Sequence, residues 1–213
     1  MRKALFTLAA AVALAVAGGG AAGAQTDTVS EQDKTFLKGQ QETNLAEVSL
    51  GKVVIERATS EAVKELATKL VADHQQVLEL NKALHQKLGL TAPEETSAEM
   101  KAKAESIKSQ SGAAFDAAFV AAQIEGHTKS ISSAQKEISS GSHPEVKAFA
   151  TNYLPKAQMH LQHSQETQSA LASADSAPAL PRTGTGSAPL AAIGVALASV
   201  GLIARQWGSR SRR

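Results

Sequence analysis

The chain has 213 residues, 22 Lys and Arg against 20 Asp and Glu for a formal charge of +2, no cysteine and 3% aromatic residues. The lack of cysteine excludes disulfides, thiolate metal sites and a cysteine nucleophile. Near-balanced charge, with no basic stripe interleaved with aromatics, removes the electrostatic basis for a nucleic-acid partner.

In chain order, Met1, Arg2 and Lys3 precede an apolar run from Ala4 to Ala17 and small residues ending in Ala22-Gly23-Ala24. A charged start, a short hydrophobic stretch and a small-x-small site resemble a secretory signal peptide over residues 1–24, cut after Ala24. The alternative, an N-terminal membrane anchor, calls for a longer apolar run.

Residues 25–172 are rich in Ala, Leu, Lys, Glu and Gln, and almost free of Pro and Gly inside the periodic segments. That composition predicts an all-α domain. Ser30 ahead of Glu31 and Asp33 opens a first helix over 31–58. Its stripe is Phe36, Thr43, Glu47, Leu50 and Val54. Continued, that stripe would bury Arg57 and Glu61, whereas the next apolar stripe starts at Val63 in another phase. A turn near Thr59-Ser60 resolves the mismatch; one continuous helix is the alternative.

The second helix, 61–88, carries Val63, Leu66, Leu70, His74, Val77, Asn81, Leu84 and Leu88 on one face. From Gly89 to Gly112 the connection is long, and a Thr96/Glu99 capping box opens a short extra helix from Glu99 to Ser109. Its alternating Lys and Glu read as a solvated face. A third long helix, 113–139, aligns Val120, Ile124, His127, Ile131, Ala134 and Ile138. The fourth, 144–172, opens on a Ser142/Glu145 capping box with Pro144 in the first turn. It aligns Phe149, Tyr153, Ala157, His160, Ser164, Thr167 and Leu171, and Pro155 should kink it. Four long helices with short turns predict an up-down-up-down four-helix bundle, with the extra helix between helices 2 and 3.

Each long stripe is interrupted by a residue able to bind a metal: Glu47, His74, His127 and His160. Counted from the turns at 1.5 Å per residue, all four fall within about one helical turn of the same level. One carboxylate and three imidazoles at mid-bundle suit zinc, copper or iron. The alternative is a buried polar layer in which Glu47 pairs with a protonated histidine and fixes helix register. His85, His143 and His163 lie off the stripes and read as surface residues. Asp73 and Glu125, beside the histidines in sequence, fall on the wrong face to co-ligate.

The stretches Asn44-Leu45-Ala46-Glu47-Val48-Ser49-Leu50-Gly51, Val71-Ala72-Asp73-His74, Phe115-Asp116 followed by His127, and Leu154-Pro155 followed by His160 resemble a large family of exported bacterial proteins. Its members are four-helix domains of the ferritin-like superfamily with undefined function. The resemblance covers about residues 31–172 and implies the bundle and the inward residues, but no activity. Di-iron carboxylate bundles place Glu three residues before His on two helices. Here those positions hold Val71, Ile124 and Ala157, so a ferroxidase site is not expected.

Residues 173–179 are rich in Ser, Ala and Pro and read as a linker. Beyond them come Leu180, Pro181, Arg182, Thr183 and Gly184, a small-residue spacer, an apolar run over 189–204, and a basic tail of Arg205, Arg210, Arg212 and Arg213. Residues 180–213 resemble a sortase sorting signal of Gram-positive surface proteins. The resemblance implies cleavage between Thr183 and Gly184 and covalent attachment of Thr183 to peptidoglycan, with sortase as the processing partner. The apolar run halts translocation and the arginines stay cytoplasmic; a plain C-terminal transmembrane anchor is the alternative. Membrane contact is then confined to the uncleaved ends. Removing both ends leaves acidic residues in excess of basic ones.

The sequence thus predicts an exported, wall-anchored surface protein with a helical domain. The role it predicts is a non-enzymatic binding or structural module; the alternative is a mononuclear metal or small redox-ligand protein. No nucleophile elbow, phosphate loop or paired-acid motif supports a hydrolase.

Overall fold

The computed structural model describes residues 28–175. The expected signal peptide with Ala22 and Ala24, the rest of the expected linker, and the expected sorting residues Leu180, Pro181, Arg182, Thr183 and Gly184 lie outside the described residues.

Among the described residues the regular structure is wholly helical: α1 (Glu31–Arg57), α2 (Glu61–Lys87), α3 (Ala98–Lys108), α4 (Gly112–Ser140) and α5 (Pro144–Asp175). No described helix is long and apolar enough to cross a membrane. α1 packs mainly on α2 and α4 mainly on α5, while α2 against α5 and α1 against α4 join the two pairs. The short α3 rests on α1 and α4. A break between α1 and α2 at 58–60 replaces one continuous helix. α5 runs three residues past the expected end at 172, into the expected linker.

Local chemistry explains most boundaries. Ser30 caps α1 in a full capping box with Asp33. Two caps differ from expectation. α3 is capped by Ser97, whose side chain accepts from the Met100 N–H, while the Thr96 hydroxyl turns to the Met100 sulfur. α5 begins after His143, whose Nδ1 accepts from the Glu145 N–H. Ser142 instead donates its N–H to Asp33 of α1, and Glu145 pairs with Lys87 at 2.6 Å.

The start of α2 is capped from another helix. Ser60 makes no side-chain cap bond. Asp116 of α4, 1% exposed, accepts from the Thr59 hydroxyl at 2.7 Å, the Ser60 N–H at 2.8 Å and the Thr59 N–H at 3.0 Å. The α1–α2 turn is therefore tied to α4 by a tertiary contact. Arg57 adds to it, donating to the carbonyls of Lys108 and Gln110 and lying over the Phe115 ring at 4.5 Å.

Two apolar clusters fill the interior. One gathers Leu50, Val54, Val63, Leu66, Leu70, Ile107, Phe115, Phe119 and Val120. The other gathers Phe36, Leu37, Val77, Ala134, Val146, Ala150, Tyr153 and Ala157. Close approach of α1 to α2 depends on Gly51, where a Cβ would lie 2.5 Å from Val71 Cγ2. On α1, α2 and α4 a band of buried polar residues falls between the members of the two clusters, and it includes Asn44, His74 and His127.

Candidate metal centre

Three histidines meet in that band. His74 of α2, His127 of α4 and His160 of α5 are 1%, 2% and 0% exposed. Their ring centroids are 5.1–5.6 Å apart, and one nitrogen from each lies within 4.8 Å of the others. The apolar stripes on either side bring them inward, because a histidine in register with buried leucines is carried to the same depth.

In each ring one nitrogen is tied to an acceptor. His74 Nδ1 is 2.7 Å from Asn44 Oδ1, His127 Nδ1 is 2.9 Å from the Gln123 carbonyl, and His160 Nε2 is 2.9 Å from Asp73 Oδ2. The Asn44 amide is oriented by its own Nδ2, which donates to the Gln40 carbonyl. Carbonyl and carboxylate oxygens only accept, so each tied nitrogen carries the proton and the other presents a lone pair. His74 Nε2 and His160 Nδ1 are buried and, among the described residues, have no hydrogen-bond partner. Orphaned buried acceptors are costly unless something binds them.

The electrostatics keep the lone pairs of His74 and His160 free. Burial first, then the neighbouring imidazoles His127 and His160, hold His74 well below the usual histidine range. Burial likewise pulls His160 down to about 4, against the opposing bond from Asp73. Burial works to raise the Asp73 carboxyl, but hydrogen bonds from His160, Lys69 and Lys156 outweigh it and hold the group well below the ordinary carboxylate range. Asp73 is thus a fixed carboxylate behind His160, with Lys69 at 3.1 Å and Lys156 at 3.2 Å. A carboxylate on the far nitrogen of an imidazole orients the ring and raises its basicity toward a metal.

Four sequence expectations change here. Glu47 is not in the triad: it turns toward α4 and accepts from Gln123 Nε2 at 2.8 Å. Asn44, one helical turn earlier, supplies the α1 contact to His74. The rotation follows from the buried face of α1, which runs through Phe36, Leu37, Gln40, Gln41 and Asn44 and leaves Thr43 half-buried. Asp73, expected on the wrong face, reaches His160 because α5 packs against that flank of α2. His85 and His143, expected at the surface, are 3% and 5% exposed. Burial is satisfied through His85 Nδ1 to the Asn81 carbonyl and through the α5 cap. His163 is half-buried, and Glu125 stays outside between Lys103 and Lys129.

The sequence reading missed Asn44, Asp73 and Gln123 as supports of the triad. Asn44 and Asp73 each stood inside a quoted motif, but only helix rotation decides what they face.

A family model described as a domain of unknown function (DUF4142) matches residues 19–167. None of the curated proteins matches the chain. Among solved structures, the chain is similar to a DUF305 fragment from Deinococcus radiodurans, with 14% identity and a TM-score of 0.60, over 67% of this chain and 98% of that one. At that identity the likeness speaks to the all-helical fold.

Proposed function

The chain belongs to the DUF4142 family of domains of unknown function, and from that premise we propose that it is an exported, wall-anchored helical module that binds one transition-metal ion through His74, His127 and His160. The convergence of three buried imidazoles, with one nitrogen from each within 4.8 Å of the others and one nitrogen of each ring tied to an acceptor, carries this reading. Neutral imidazoles without a carboxylate ligand suit zinc, copper or iron(II) over magnesium or calcium. A tetrahedral centre with bonds of about 2.0–2.1 Å needs nitrogens about 3.4 Å apart, so the rings would close by roughly 1 Å. Three protein ligands leave one position open. The reading is of metal binding and assigns no reaction.

The fold is read more finely as a ferritin-like up-down-up-down four-helix bundle with α3 as the extra helix. The α1–α2 and α4–α5 pairings support this. Export through residues 1–24 and attachment at Thr183 by sortase to peptidoglycan rest on the two terminal sequence signals.

Thermal melts of the purified protein with chelator, and then with zinc, copper or iron(II), test the centre. Metal at 100 times its dissociation constant should stabilise by about 2.7 kcal/mol. His127→Leu, which fills the space without a ligand atom, should abolish that gain while keeping the fold. No rise with any of the three metals would return the cluster to a buried polar layer.

A further inference from the structure

A cavity of about 270 Å³ lies beside the triad, walled by α1, α3 and α4. We propose that it is a binding site for a small primary ammonium carrying a short apolar body, with Glu47 as the counter-ion. The proposal does not depend on the metal reading, since Glu47 is not one of the three converging ligands.

The walls are mostly apolar, through Leu50, Met100, Ala104, Ile107 and Ala122, while Glu47, Gln40 and Gln123 supply polar atoms. Those polar atoms are short of donors. Glu47 Oε2 accepts from Gln123, and among the described residues no hydrogen bond or ion pair reaches its Oε1. The lysines lining the cavity are already engaged: Lys103 and Lys129 both pair with Glu125, at 2.7 and 2.6 Å. Gln40 and Gln123, 3% and 1% exposed, each leave a buried side-chain oxygen without a partner among the described residues. The cavity therefore offers the Glu47 carboxylate, with Glu99 also in its lining, and a primary ammonium brings three N–H donors.

Burial raises the Glu47 carboxyl above its usual range, against the pull of His127, Gln123 and Lys103. A half-buried carboxylate with no ion-pair contact of its own is costly, and a bound cation offsets that cost. A metal ion is a poor occupant. Among the described residues the grouping of three candidate ligands is the histidine triad, and its members do not line this cavity. The apolar walls instead fit an alkyl body, in a volume at the small end of ligand pockets. This also gives α3 a role: Met100, Ala104 and Ile107 close the site from its face.

The test is calorimetric titration of the purified full-length protein, in chelator at pH 7, with n-propylammonium, 1-propanol and propionate. Propylammonium should bind saturably, and propanol and propionate should not. Glu47→Gln should weaken propylammonium by about 10- to 100-fold, the worth of a charge-assisted contact. Ala104→Trp, which fills the cavity from the α3 wall and leaves Glu47 intact, should abolish binding; far-UV circular dichroism reports whether each variant keeps its helices. His127→Leu should bind propylammonium as wild type does, which separates this site from the metal centre. Equal binding of propanol, or an unchanged affinity in Glu47→Gln, would reduce the site to an apolar hollow and overturn the proposal. Absence of propylammonium binding to wild type would do the same.

Discussion

A buried pair of carboxyl groups makes stability respond to pH in a way that one substitution isolates. Asp33 of α1 and Glu137 of α4 are both fully buried and hydrogen-bonded to each other. Asp33 takes the strong donors: the Ser30 N–H and hydroxyl, and the N–H groups of Ser142 and His143. Burial tends to raise it, but these bonds and the one from Glu137 bring it down to about 2. Glu137 has only Gln32 Nε2 at 3.0 Å. Burial first, then the bond to Asp33, push it up to about 7 from an ordinary 4.5. Between those two values the folded chain keeps a proton that the unfolded chain has released. Stability from Glu137 is therefore complete below about pH 4.5 and is lost as pH rises to about 7. At ~1.4 kcal/mol per pH unit the loss reaches about 3 kcal/mol. Glu137→Gln retains a donor toward Asp33 and cannot ionise. In urea unfolding with chelator, it should match or fall slightly below wild type at pH 5 and exceed it by up to about 3 kcal/mol at pH 8. His160, whose depressed value makes stability fall as pH drops from 6.5 toward 4, acts equally in both proteins and cancels. Parallel pH profiles for the two proteins would refute a shared proton at this pair.

Asp116→Ala should cost about 2–4 kcal/mol in the same assay, because it strips the acceptor from the Thr59 and Ser60 donors at the α1–α2 turn; a neutral effect would mean that water replaces the carboxylate. Thr183→Ala should shift the protein from the wall fraction to membrane or medium. Extraction of wild type by detergent without wall digestion would count against covalent anchoring.

The helices were legible because what makes them is local. Ser30 with Asp33, the phase change at Thr59-Ser60, and Gly89 and Gly112 with their positive φ are all set within a few residues. So was the convergence of His74, His127 and His160, since each sits in register with an apolar stripe. Less legible was a ladder of polar residues between α1 and α4. Asp33, Gln40 and Glu47 recur every seven residues on α1, as do Asp116, Gln123, Ser130 and Glu137 on α4. The Asp33–Glu137 and Glu47–Gln123 contacts are two of its rungs. The α4 reading favoured Ile124, Ile131 and Ile138, which are only partly buried.

What the amino-acid order determined by itself was the helical class, the element boundaries to within a few residues and the depth of the three histidines, because periodicity and caps act along one chain segment. The rotation of each helix was decided by tertiary structure, and with it the exchange of Glu47 for Asn44, the reach of Asp73 to His160 and the burial of His85 and His143. The physical reason is that a buried polar group is tolerated only where a partner meets it, and each of Asn44, Asp73, Asp33 and Asp116 finds its partner on another helix or in a turn, at least 30 residues away in sequence.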